Sequence, residues 1–279
     1  MDRGARQTFR PGILKELRMS PLKILLLWMS YSLRGILGLR RFIAVTPPFM
    51  KTQRLYDRRT RSWLTFQIRD ADDWIQIEHI FLNEEFDLTP TARLPQIERH
   101  YQHMLEGGVE PLIVDLGSNI GLVSAYFALT YPRAKIVSVE PDEGNCRLAR
   151  QNLPAQSELL EAAISSRDGA GKLNDTGRNC GFQVEKTNDG DVRLITVPSI
   201  LASTPGVPFL IKIDIEGFEE DLFADNVDWI DQFPVLLIEL HDWMLPGRRV
   251  TSNFIKAIAA RDREIMHFDG YLVSLSSRL

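Results

Sequence analysis

The run LIVDLGSNIG at residues 112–121 combines residue types and spacing that suit a ligand loop. An apolar stretch ends in Asp115. A tight loop with Gly117, Asn119 and Gly121 follows, and then the apolar stretch LVSAYFAL at 122–129. A buried parallel strand, a glycine turn and a helix start, in that order, form the place where a doubly wound α/β sheet receives a nucleotide-like ligand. Dinucleotide spacing, G-x-G-x-x-G, would need glycine at 119 and 122, where Asn119 and Leu122 stand. The form D-x-G-x-(G/N)-x-G instead suits S-adenosylmethionine (SAM). On this reading Asp115, Gly117, Ser118, Asn119 and Gly121 hold SAM, with Asp115 near its cationic amino end. A tight turn without a ligand is the plain alternative.

Further candidates sit at the ends of four more apolar runs. Glu140 closes AKIVSVE at 134–140, where a carboxylate can accept both hydrogen bonds of a ribose diol. Pro141 and Asp142 open the next helix, and Pro141 joins the cofactor set. Ala162, Ala163 and Ile164 end a third run and are small or apolar enough for an aromatic base, Ala163 most directly; a core strand explains them equally well. In FLIKIDIEG at 209–217, Lys212, Asp214 and Glu216 alternate with isoleucines. Charges inside a central strand are costly to desolvate unless paired or functional. Asp214 is expected beside the cofactor and the transferred methyl group; a Lys212–acid pair that orders the loop is the alternative. A fifth run, VLLIELH at 235–241, ends in Glu239 and His241, with Asp242 next. Adjacent strands would gather Asp214, Glu216, Glu239 and His241 around one cleft as the catalytic candidates. They could deprotonate a hydroxyl. Alternatively Asp214, Glu239 and His241 could hold a divalent metal that lowers its pKa, although mixed O/N ligands do not fix the metal's identity. For His241 a structural hydrogen-bonded role is the alternative.

Taken together, VDLGSNIG, VEPDEGN with Asn152 and Leu153 after it, KIDIEGFE and LIELH resemble the FkbM family of SAM-dependent methyltransferases. The block from Lys212 to Glu219 is the most specific part, and the resemblance covers about residues 65–279. Upstream, RDADD at 69–73 and FLNEEF at 81–86 resemble the stretch before the family's core, which often ends Glu-Tyr; here it is Glu85-Phe86. The resemblance implies an α/β class I methyltransferase (Rossmann-like) fold, a mostly parallel seven-stranded sheet with an antiparallel edge strand. It also implies O-methylation of an alcohol on a sugar, glycolipid or polyketide-like acceptor.

The elements that must position these residues follow from pattern. From Pro111 onward strands are expected near 112–116, 135–139, 158–164, 208–214 and 235–240, with helices near 120–130, 143–152, 217–226 and 252–260, the rhythm of a mostly parallel sheet. The insertion 166–207 carries two strand-like pieces, 182–185 and 192–197, joined by a turn at 188–190. Residues 264–275 suit an antiparallel edge pair around Asp269-Gly270. Earlier, Leu64, Phe66 and Ile68 suit a strand, Asp70 to Asp73 cap a short helix, and Leu94–Leu105 reads as a helix ended by Gly107-Gly108.

Residues 1–62 are expected as a basic, partly apolar helical segment with a linker at 45–61, and residues 63–279 as the methyltransferase-like domain. Residues 1–62 hold 14 Lys/Arg against 3 Asp/Glu, while the rest holds 19 against 34, so an anionic surface or the acidic body itself is the expected partner of this end. Ser20-Pro21 reads as a helix start, with a helix to about 39. Its apolar core, ILLLWMSYSL at 24–33, falls well short of a membrane span, and no signal-peptide cleavage pattern follows it. Packing on protein or lying in a membrane interface through residues 1–45 are both open. Two unclustered cysteines, Cys146 and Cys180, make neither a metal site nor a disulfide framework, which favours a cytoplasmic placement with a single bridge between them left open, while the basic residues 1–45 suit peripheral association with a membrane. The partner is a small-molecule, glycan or lipid acceptor rather than nucleic acid, and an oligomer is open. Two rival readings are a nicotinamide-dependent oxidoreductase, which lacks its spacing here, and a non-catalytic protein of the same fold docked at a membrane.

Overall fold

The computed structural model describes residues 20–175, 182–187, 190–268 and 270–279. Helix α1 (Pro21–Ile36) starts where the sequence predicts. Ser20 Oγ accepts from Lys23 N at 3.3 Å, and Pro21 fills the first turn. It ends at Ile36, short of residue 39.

Strands β1 (Phe42–Ala44), β2 (Thr52–Asp57) and β3 (Ser62–Gln67) then form an antiparallel sheet in that order. The expected linker over 45–61 is therefore partly strand. Its period-two burial turns Gln53, Leu55 and Asp57 inward. Asp57 is held by Arg41 through two hydrogen bonds of 3.1 and 2.8 Å. The β2–β3 hairpin runs across residue 62, and Leu55 and Phe66 join the same core as Tyr126 and Phe127.

Helix α2 (Ala71–Ile77), capped by Asp70, continues into a π-helical turn, Glu78–Leu82. Helix α3 (Leu94–Glu106) ends at Gly107. The main sheet then builds as β4 (Pro111–Leu116), α4 (Leu122–Thr130), β5 (Lys135–Glu140), α5 (Glu143–Asn152) and β6 (Ser157–Glu161). A second small sheet follows from β7 (Ala163–Ile164), β8 (Gly169–Asp175), β9 (Phe182–Lys186) and β10 (Val192–Ile195), in the order β7-β10-β8-β9. Helix α6 (Val197–Ser203) leads into β11 (Val207–Ile213), α7 (Glu219–Leu222), a 3-10 turn Val227–Gln232, β12 (Val235–Glu239), α8 (Ser252–Ala259), β13 (Arg263–Phe268) and β14 (Tyr271–Ser276).

The seven-stranded sheet has the order β13-β14-β12-β11-β4-β5-β6. Its neighbours from β12 through β6 pair in parallel, and β14 runs antiparallel to both β12 and β13. The reversed strand thus lies one in from the edge. Apolar clusters cover both faces of the sheet, which is why its central strands are buried almost end to end.

Three expectations are corrected. The third strand, expected over 158–164, splits at Ala162: β6 stays in the large sheet and β7 pairs with β10. The insertion gains a helix, α6, whose cap Thr196 accepts from Ser199 N at 3.1 Å. The helix expected over 217–226 shrinks to α7. Glu216 and Gly217 stand at φ of 53° and 96°, and Asn226 at 53°, all outside helical geometry. Asn188, Asp189, Asp269 and Cys180 lie outside the described residues.

Candidate functional site

Strand order reverses between β4 and β11, and ligands bind in such sheets at the carboxyl ends beside this switch point. The register there sets Asp115 opposite Lys212. Lys212 is 1% exposed, and its Nζ donates to the Gly117 carbonyl at 2.9 Å. It also faces Asp115 Oδ1 at 3.3 Å and Asp214 Oδ2 at 3.4 Å. Burial would depress the lysine, yet the Asp115 and Asp214 charges outweigh it and raise its pKa. The ion-pair alternative for Lys212 is therefore realised, alongside a cavity position for Asp214.

Asp115 itself is corrected. It is fully buried, takes the Ser124 hydroxyl at 2.6 Å, and does not line the cavity. Its part is to anchor Lys212. Gly117, at φ 74°, is needed because a Cβ there would collide with the carbonyl oxygen of Asp214. Gly121, also expected to touch the cofactor, is instead the left-handed cap of α4 at φ 84° and faces Leu153.

A cavity of about 380 Å³ opens at this point, and Gly117, Ser118, Asn119, Glu140, Pro141 and Ala163 are among its lining. Lys212, Asp214, Glu216, Glu239 and Tyr271 line it too, and Ile75, Gln76, His79 and Ile80 add a wall from α2 and the π-helical turn. Glu140 is held by three N–H donors: Asn119 N at 2.9 Å, Asp142 N at 3.1 Å and Asn145 Nδ2 at 2.9 Å. Burial pushes its carboxyl up to about 7 against the pull of those bonds from Asn145, Asp142 and Asn119. Three donors leave this carboxylate room for about one more hydrogen bond rather than the two of a ribose diol.

The loop fits a cofactor with hydroxyl and amino groups. Ser118 Oγ and Asn119 Oδ1 are buried in the cavity wall without a partner among the described residues. Buried polar atoms left unpaired are costly unless a ligand or water completes them. Asn119 stands at φ 48°, a conformation few side chains adopt, and its Nδ2 donates to Gln76 Oε1 at 3.1 Å. Ala162, Ala163 and Ile164 supply an apolar wall.

At the ends of β11 and β12 the acids gather around His241. Its ring is 1% exposed, and Nδ1 meets Glu219 Oε1 at 2.8 Å. Its Nε2 lies 3.5 Å from Asp214, 3.7 Å from Glu239 and 3.8 Å from Glu216. Burial alone would lower the imidazole pKa, but the hydrogen bond and charge of Glu219, with Asp214 and Glu216, raise it to about 9. Burial and the Asp214 charge raise Glu216 to about 8 and Glu239 to about 7. His241 is not among the cavity-lining residues, and its raised pKa favours the protonated imidazole. The metal-ligand expectation changes too. Among the described residues, Asp214, Glu216 and His241 offer ligand atoms within 4.8 Å of one another, with Glu216 in place of Glu239.

Several site residues escaped the sequence reading. Glu219 is buried and was visible only as the last letter of KIDIEGFE. Asn145 was visible only inside VEPDEGN. Its Oδ1 accepts from Arg69 Nη1 at 2.7 Å, and Arg69 is clamped by Asp73 at 2.8 and 2.9 Å. That relay fixes the face of Asn145 that donates to Glu140. Asn152 ties the loop to β3: its Nδ2 donates to the carbonyls of Ile120 and Gln67. Nothing in the pattern around Gln76 marked it.

The methyltransferase FkbM domain matches residues 115–265 of this chain, more than half its length. No curated protein matches. Similar solved structures include the O-methyltransferase TomG from Streptomyces achromogenes, solved with SAM, at 13% identity and a TM-score of 0.39 over 76% of this chain and 91% of that one. Another is the precorrin-6y C5,15-methyltransferase from Geobacter metallireducens, at 13% identity and a TM-score of 0.36 over 60% and 80%. At these scores the likenesses add no weight to the family match, which by itself removes the nicotinamide reading.

Proposed function

The chain belongs to the FkbM family of SAM-dependent methyltransferases, and on that premise we propose that it methylates a hydroxyl oxygen of a carbohydrate, glycolipid or polyketide-like acceptor. The observation that carries the oxygen assignment is the set of acids at the ends of β11 and β12, two of them with raised pKa, that line the same cavity as the glycine loop. SAM, when bound, supplies a methyl carbon already activated by its sulfonium. What the protein must add is placement of the acceptor oxygen and removal of its proton.

On this reading Gly117, Ser118, Asn119, Glu140, Pro141 and Ala163 hold the cofactor. Ser118 Oγ, Asn119 Oδ1 and the free acceptor position of Glu140 are the polar contacts. Glu239, with a pKa near 7, is the proton acceptor: ionised in a useful fraction at neutral pH, yet basic enough to take a hydroxyl proton. Asp214, fixed by Lys212, orients the hydroxyl, and Tyr271 OH lies 3.4 Å from it. Glu216 adds a second acceptor of similar basicity. His241, held by Glu219, is a positioning residue whose positive charge keeps the three carboxylates together.

Labelled methyl transfer from SAM to fractionated cell glycans and lipids tests the proposal. A labelled methyl ether is expected. Label carried on nitrogen or carbon would overturn it. Glu239→Gln should keep SAM binding and lose at least about a hundredfold in turnover, the lower end of what a general base contributes; full turnover would remove Glu239 from its role.

A further inference from the structure

Helix α1 leaves a coherent apolar face uncovered. Leu22, Leu26, Met29, Leu33 and Ile36 follow one another at intervals of four and three, which stacks them on one side of a helix. They are between 53% and 69% exposed. The helix cannot turn this face inward. Its other side is pinned by buried Ile24 and by Leu27, Trp28 and Tyr31 against the core. The Tyr31 hydroxyl meets Glu78 Oε1 and Asn83 Oδ1, each at 2.6 Å. Gly35 lies against β1 so closely that a Cβ would sit 2.8 Å from the Phe42 carbonyl oxygen.

The chain segment that carries this face is basic. Helix α1 carries Lys23 and Arg34 and no acid, and Lys51, Arg54, Arg58 and Arg59 are exposed in the strands and turns after it. The single acid between residues 20 and 62, Asp57, is buried against Arg41. Residues 1–19 add five Lys/Arg and two Asp/Glu in sequence. No helix among the described residues is long and apolar enough to cross a membrane. A second copy of the chain seated on this face would bring two basic surfaces together. An anionic lipid surface offers an apolar layer and the opposite charge at once.

We propose that α1 is an interfacial helix that docks the protein on an anionic bilayer, with Leu22, Leu26, Met29, Leu33 and Ile36 inserted below the headgroups and the basic residues among them. The surface is distinct from the cavity, so it stands whether or not the oxygen assignment holds. It is nonetheless joined to the cavity: Tyr31 bonds to the π-helical turn whose His79 and Ile80 form part of the cavity wall.

Co-sedimentation of the full chain with vesicles tests this. One set is phosphatidylcholine alone, the other phosphatidylcholine mixed with phosphatidylglycerol. The protein should partition onto the mixed vesicles and be released by added salt. Leu26→Glu/Leu33→Glu should lower that partitioning at least about tenfold, since it places two charges in the apolar layer, while SAM binding and Tm stay as in the parent. Three results would overturn the proposal: no preference for the anionic vesicles, equal partitioning of the folded variant, or a dimer in light scattering that the same variant dissociates, which would make the face an interface between copies.

Discussion

Replacing Lys212 by Met removes the cation on which β4 and β11 are joined at the switch point. The ammonium is 1% exposed and serves three groups: the Gly117 carbonyl at 2.9 Å, Asp115 at 3.3 Å and Asp214 at 3.4 Å. Asp214 is a quarter exposed, so water takes up part of its loss. Asp115 has no such outlet. It is fully buried, and only the Ser124 hydroxyl remains to it. Breaking a buried pair from one side costs about 3–5 kcal/mol, because the other charge is left uncompensated. That is a large part of the roughly 5–15 kcal/mol that holds a typical domain folded. Urea unfolding followed by circular dichroism measures it. The reasoning also fixes the sign of a double-mutant cycle. Asp115→Asn in the Lys212→Met background removes the stranded charge, so the double variant should be more stable than Lys212→Met alone by about 1–3 kcal/mol, the penalty of a buried group left without its partner. A loss below about 1 kcal/mol for Lys212→Met, well under the buried-pair range, or a double variant less stable than either single one, would refute the argument.

Three further predictions concern the cleft. With Glu239 raised to about 7 and His241 to about 9, kcat/KM should rise through pH 7 and fall above pH 9; in Glu219→Gln the alkaline limb should move down toward the free-imidazole value of 6.5. His241 binds its proton more tightly folded than unfolded. Its contribution to stability is therefore complete below about 6.5 and is lost as pH rises through about 9, which urea titrations at several pH values will read. Gly117→Ala should destabilise by more than about 1–2 kcal/mol, the left-handed penalty alone, because its Cβ also collides with the Asp214 carbonyl; SAM affinity should fall with it.

How much of this could be read in advance depended on how local the cause was. The glycine loop, Glu140 and the charged strand at 209–217 announce themselves because spacing along one strand and turn fixes them. Strands β1 and β2 did not, although β3 was expected, since Arg58, Arg59 and the paired prolines gave residues 45–61 the composition of a linker. What makes them strand is the hairpin register and the Arg41–Asp57 pair, which only pairing in space reveals. Asp115 was expected beside the ligand, and in the structure it is fully buried in its strand and does not line the cavity. The register partner Lys212 turns it inward, and a one-dimensional reading has no view of that. His241 was expected as a base, a metal ligand or a structural hydrogen-bonded histidine; its ring is buried, and Glu219, 22 positions away, lies 2.8 Å from Nδ1 and helps raise its pKa. The shortened α7 has the same lesson: a helix-like charge pattern gave way to two residues locked at positive φ beside the cavity.

Titration calorimetry of the pure chain with SAM addresses the central claim, that the cavity between the glycine loop and the β11–β12 acids is the cofactor site. One SAM should bind per chain, NAD should give no heat, and Glu140→Leu should weaken SAM at least about tenfold, the loss of one charge-assisted hydrogen bond of some 1.5–3 kcal/mol. SAM binding that is undiminished in Glu140→Leu, or absent from the parent protein, would contradict the account.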